Sequence, residues 1–144
     1  MFTQDCFIRK NTAGLRRRLR KIGYMECMTM GRGKSYITIN NNNDEYNGSY
    51  DIVSADVINN MGFRKPHVDC GENEELFLAI AALRDDSDKH QLFFHNKDIE
   101  CEYPIECIHD KFHLIQVDEY LSKYKDRKNE YHKAQVEELI KHFK

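Results

Sequence analysis

No stretch of this sequence holds about eighteen consecutive apolar residues, the least that spans a bilayer as a helix. The first ten residues, MFTQDCFIRK, contain no apolar run of signal-peptide length. The expectation is therefore a cytoplasmic protein without a membrane partner. Cysteine is odd in number, with five in the chain, which without an export signal points to reduced thiols and not to a disulfide framework. Asn47-Gly48-Ser49 matches a glycosylation sequon, but outside the secretory route it reads only as a turn. Glycine is missing where one motif needs it. The stretch MGRGKSYITINNNN, residues 30–43, contains Gly-Lys-Ser, yet the place five residues before Gly33 is Met28. A P-loop needs a glycine there, and it needs a helix directly after Lys-Ser to aim amides at phosphate. SYITIN alternates like a strand, so nucleotide binding is not expected here.

What is present supports a folded chain: 40% hydrophobic residues, with eight Tyr and eight Phe among 144. That length suits one domain with an ordinary core. The net charge of −2 conceals an asymmetry. Residues 1–40 carry nine Lys or Arg against two acids, a surplus of +7, and residues 41–144 carry thirteen against twenty-two, a balance of −9. Such a split is a hint of an anionic partner. The plain alternative is that the basic part packs beside the acidic part and the two fields cancel.

Along the chain, Cys6 to Arg9 reads as a short strand. AGLRRRLRKIG then reads as a helix: Thr12 is a suitable N-cap, Leu15, Leu19 and Ile22 share one face, and Gly23 suits the left-handed position past its end. YMECMTM and SYITIN, joined across Gly31 to Lys34, are expected to form a hairpin. Asn40 to Gly48 is a polar surface loop. Ser54 is placed to cap a second short helix with Val57, Ile58 and Met61 turned inward and Gly62 at its end. HVDCG is read as a loop entering the third helix, GENEELFLAIAALR. There Glu72, Glu74 and Glu75 suit the positive end of the dipole, and every residue from Leu76 to Leu83 is apolar. A helix with no wet face belongs in the centre. Asp85, Asp86, Ser87 and Asp88 end it.

QLFFH, a turn at Asn96-Lys97-Asp98, and IECEYPIEC follow. In the last, Ile99, Cys101, Tyr103, Ile105 and Cys107 alternate with polar residues as in a half-buried strand, and Pro104 confines it to an edge or a break. FHLIQV is a further strand. Asp118 can cap a short helix through Tyr124, and after a charged connector Val136, Leu139, Ile140 and Phe143 stripe a final helix.

Three chemistries compete for the remaining residues. His67, Cys70, Cys107, His109 and His113 are metal-competent types, but their spacing matches no standard zinc motif and Cys107 shares an inward face with Ile105. Neither a metal nor another cofactor is expected. Cys70 is the best-placed thiol for nucleophilic catalysis, yet acidic Asp69 and Glu72 flank it and no base is recognisable, so no catalytic residue is assigned. The remaining signal is cationic. Arg16, Arg17, Arg18, Arg20 and Lys21, with Arg32 and Lys34 and, near in sequence, Arg9 and Lys10, could neutralise phosphates, and Tyr24 and Tyr36 could stack on bases. The competing reading is a solvated helix face matched by the chain's own acids.

The segments CFIRKNTAGLRRRLRKIGY and VDCGENEELFLAIAALRDDSDKHQLFF resemble small uncharacterised proteins of phages and mobile elements of gut Bacteroidetes. The resemblance implies no fold, activity or site, only an accessory protein that acts by binding. The expectation is a single α+β domain, residues 1–144, in which a mostly antiparallel sheet packs on a buried helix at 73–84, with helices at both sequence ends. Its leading expected function is non-catalytic binding of a protein partner or of itself as a homo-oligomer. The alternative is nucleic-acid binding through the arginine-rich helix, and a small enzyme or metal protein comes third.

Overall fold

In the computed structural model, the described residues are 4–29, 34–39, 48–60, 67–83, 92–95, 112–114 and 131–143. The first helix, α1 (Ala13–Ile22), follows strand β1 (Cys6–Ile8) and forms as its end signals require. The Thr12 hydroxyl accepts the Leu15 N–H at 3.1 Å. Gly23 takes φ 103°, and the N–H groups of Gly23 and Tyr24 return to the carbonyls of Arg20 and Leu19, each at 3.0 Å. That pair of bonds is a Schellman ending, which favours glycine because a Cβ crowds the left-handed backbone.

Strands β2 (Met25–Thr29), β3 (Ser35–Ile39), β4 (Ser49–Ser54) and β5 (Val68–Asp69) join β1 in a five-stranded sheet of order β2-β4-β3-β1-β5. The expected hairpin between YMECMTM and SYITIN does not form. β2 and β3 do not pair: β4 lies between them, parallel to β2 and antiparallel to β3. A glycine-rich connection between two β-prone runs permits a hairpin but does not exclude a better partner. Ile52 and Val53 of the unanticipated strand β4 bury on opposite faces of the sheet. β5 falls in the expected loop HVDCG, and its two residues pair parallel to Cys6 and Phe7.

Pairing directions make β1, β2, β4 and β5 parallel to one another, with β3 alone reversed. The β1-α1-β2 crossover therefore travels one way across the sheet. The β4-α2-β5 crossover, through α2 (Ala55–Asn60), travels the other way. Connections of one hand that travel in opposite directions put their helices on opposite faces. Burial agrees. Cys6, Ile8, Ile37, Ile39, Tyr50 and Ile52 cluster with α1 and with α3 (Glu74–Ala81), whereas Phe7, Val53 and half-buried Tyr36 cluster with Ile58 of α2.

Around α3 the sequence reading holds closely. Every residue from Leu76 to Leu83 is buried, and α3 touches β1, α1 and the last helix, α4 (Val136–Phe143). A second sheet, order β7-β6-β8, consists of β6 (Leu92–His95), β7 (Phe112–Leu114) and β8 (Tyr131–Lys133), all antiparallel. β8 falls in the stretch read as a charged connector. The protein is thus α+β. Four of the six strand pairings are antiparallel, while the five-stranded sheet itself is mixed. Met61, Gly62, the Asp85 to Asp88 stop, the Asn96-Lys97-Asp98 turn, the strand at 99–107 and the helix from Asp118 to Tyr124 lie outside the described residues.

One side chain ties two helix ends together. The Asn73 carbonyl accepts the Leu76 N–H at 3.1 Å as the N-cap of α3, and its amide donates to the Phe143 carbonyl at 2.9 Å. Asn73→Ala is expected to lower unfolding free energy by about 2 kcal/mol, one cap and one hydrogen bond. Asn73→Asp keeps the cap and loses the second bond, so its urea midpoint should fall between those of wild type and Asn73→Ala. Equal midpoints for the two variants would show that the bond to Phe143 contributes nothing.

Candidate functional site

The arginines of α1 divide by their place on the helix. At about 100° per residue, Leu15, Leu19 and Ile22 form the inward stripe, and the first two are buried. Arg16 borders that stripe on one side and Arg18 on the other. Arg17, Arg20 and Lys21 lie farther out, and Arg17, Arg18, Arg20 and Lys21 are all exposed.

Arg18 is matched internally. Its guanidinium reaches Glu75 at 3.0 Å and Glu74 at 3.9 Å, at the start of α3, where Lys10 also meets Glu74 at 3.5 Å. The acids that suit the α3 dipole thus also hold two of the cations. Arg9 is used on the far face of the sheet, paired with Asp69 at 3.1 Å and set 5.3 Å from the centroid of the Phe7 ring. Among the described residues Arg17, Arg20 and Lys21 form no ion pair, and Arg16 donates to the neutral Asn11 amide oxygen. The α1 cations without a carboxylate partner among the described residues are therefore Arg16, Arg17, Arg20 and Lys21. Lys34 stands apart: its carbonyl accepts the Ala55 N–H at 3.1 Å, which places it at the start of α2. Arg32 lies outside the described residues.

Neither expected stacking tyrosine serves. Tyr24 is buried and donates its hydroxyl proton to the Ala81 carbonyl at the end of α3, and Tyr36 packs with Phe7 on the face opposite α1. The sequence reading missed Tyr50, which lies with Leu15 and Leu19 in the core and beside Glu26 of β2 in register. Burial pushes its hydroxyl pKa above the ordinary value and the Glu26 carboxylate adds to this, while the Arg20 and Arg16 guanidinium groups act the other way. The sequence signal for Tyr50 is the β-prone run YDIV, three of whose four residues are apolar.

The other candidate groups do not assemble into a reactive centre. Cys70 and Cys6 are both buried, and burial, with the adjoining Cys70 thiol, pushes Cys6 well above the usual thiol range. His67 faces buried Asp5, Nε2 to Oδ2 3.9 Å. Among the described residues no three His, Cys, Asp or Glu side chains gather to hold a metal ion, and no helix is long and apolar enough to cross a membrane. Comparison of the chain with protein-family models, curated proteins and solved structures finds no match.

Cys6 and Tyr50 keep their protons to higher pH in the folded chain than in the unfolded one. Their contribution to stability is complete below the unfolded-state pKa and is lost as pH rises through the folded-state value. The urea midpoint is expected to fall as pH rises above about 8.5. Cys6→Ala should be less stable at pH 7 and should show a shallower alkaline fall. An unchanged slope would remove the thiol as its cause.

Proposed function

We propose that this chain is a non-catalytic binding protein that holds a polyanion, the phosphate backbone of a nucleic acid, on the outer face of α1. One observation carries the reading: Arg16, Arg17, Arg20 and Lys21 lack a carboxylate partner among the described residues, although acids outnumber bases in the chain. Acids capable of matching Arg18 stand one helix away, yet they do not cover the rest of α1. The buried Leu15 and Leu19 fix the helix, so these cations meet a ligand as a preformed row along about two turns.

A second reading, association with a protein partner or a second copy, rests on β2. That strand ends the five-stranded sheet, and Met25 at its start is 61% exposed. The register shift between Glu26 and Met28 weighs against it, since an irregular edge pairs poorly with another strand.

Fluorescence anisotropy with labelled single-stranded RNA and duplex DNA tests the proposal. Affinity for the duplex should fall as salt rises, with a log–log slope of about −0.9 per phosphate neutralised. The triple variant Arg17→Ala/Arg20→Ala/Lys21→Ala should bind at least about tenfold more weakly, with a flatter slope. Arg18→Ala should stay within about twofold of wild type, because Glu74 and Glu75 already hold that charge. Salt-insensitive binding, or an equal loss in both variants, would count against the face.

A further inference from the structure

Arg16 is held by a partner that carries no charge. Its guanidinium donates to the side-chain oxygen of Asn11, and both residues are half-buried. The pairing follows from the way α1 begins. With Thr12 as N-cap, Asn11 is the residue before the cap and Arg16 the fourth of the helix. Side chains at those two positions meet across a helix entry, where an apolar pair often fixes the incoming chain. A polar pair stands in that place here. Asn11 is itself set between two anchored neighbours: Lys10 reaches Glu74 at 3.5 Å, and the Thr12 hydroxyl accepts the Leu15 N–H at 3.1 Å. The chemistry of the partner matters. Glu74 and Glu75 hold Arg18 and cancel its charge as they do so. An amide oxygen holds a guanidinium and leaves the charge intact, and a guanidinium has five N–H donors, so one bond to Asn11 leaves others to give.

We propose that Asn11 is a positioning residue for the polyanion face of α1, which pre-sets the Arg16 guanidinium as a phosphate contact. That role rests on the polyanion reading and deepens it: Asn11 does not touch the ligand and acts through Arg16 alone. Ordering a long side chain at the moment of binding weakens affinity about two- to tenfold, and an arginine already held avoids that loss. The planar fork of a guanidinium then meets phosphate oxygens in a fixed direction, which a freely rotating cation does not offer. Aspartate at position 11 would hold Arg16 as firmly but neutralise it. The amide is therefore the partner that orders the cation and keeps its charge for a ligand.

A double-mutant cycle read by anisotropy of labelled duplex DNA tests the role. Asn11→Ala is expected to weaken binding about two- to tenfold with the salt slope of wild type, because the charge of Arg16 remains. Arg16→Ala should flatten the slope by about 0.9, the worth of one phosphate contact. Added to Arg16→Ala, Asn11→Ala should have no further effect. Asn11→Asp keeps the contact and adds a carboxylate. It should flatten the slope as Arg16→Ala does, flatten it no further in the Arg16→Ala background, and leave the urea midpoint at or above that of wild type. A purely structural role for Asn11 does not produce that split. Circular dichroism of each variant checks that α1 persists, and the Asn11→Asp slope decides alone if Asn11→Ala does not fold. An equal loss from Asn11→Ala with and without Arg16, or no loss in either, overturns the positioning role. The polyanion reading then still stands if Arg17→Ala/Arg20→Ala/Lys21→Ala loses affinity. If wild type does not bind the duplex at low salt, the reading falls and the role of Asn11 falls with it.

Discussion

The burial of α3 is the constraint on which the rest of the molecule depends. From Leu76 to Leu83 it has no side chain that water can solvate well, so it must be enclosed on every side. β1 supplies one wall, α1 another and α4 a third. Each buried Leu, Ile or Phe contributes about 1.5–3 kcal/mol relative to exposure, so no surface interaction described for this chain competes with that requirement. The ends of α3 are where polar groups re-enter. Asn73 caps its start and reaches α4, Glu74 and Glu75 collect Lys10 and Arg18, and the Tyr24 hydroxyl meets the Ala81 carbonyl.

Enclosing α3 also decides which arginines are spent. α1 has to turn Leu15 and Leu19 inward, and that rotation sets Arg18 toward the acids of α3 while carrying Arg17 and Lys21 to the outside. Arg16 and Arg20 are left near enough to buried Tyr50 of β4 to act on its hydroxyl. A uniform cationic helix is in this way separated into a side matched by the acids of α3 and a side without a carboxylate partner among the described residues. Neither a mere solvated face nor an internally cancelled charge describes α1, because each is true of only part of it.

Much of the architecture was legible because it is local. Thr12, Gly23 and the Leu15–Leu19 spacing specify α1 within a dozen residues, and the unbroken apolar run specifies the position of α3 in the core. Strand partners were not legible. MECMT and SYITI look like two arms of a hairpin, and only the competition for neighbours within the sheet puts SYDIVS between them. The short strands Val68–Asp69 and Tyr131–Lys133 have too few residues to show a period, and they exist because β1 and β6 offer edges to pair with.

Composition and sequence order by themselves determined that this chain has an α+β core, a wholly apolar central helix and a cationic first helix. Those properties follow from the spacing of residues close in the chain, and so survive without knowledge of long-range contacts. Only the tertiary structure decided that Arg18 pairs with Glu75, that Tyr24 is buried and Tyr36 lies on the face opposite α1, and that Tyr50 packs in the core with Leu15 and Leu19. Charge matching and burial depend on which distant segments share a face, and that is set by the packing of α1 and α3 on one mixed sheet.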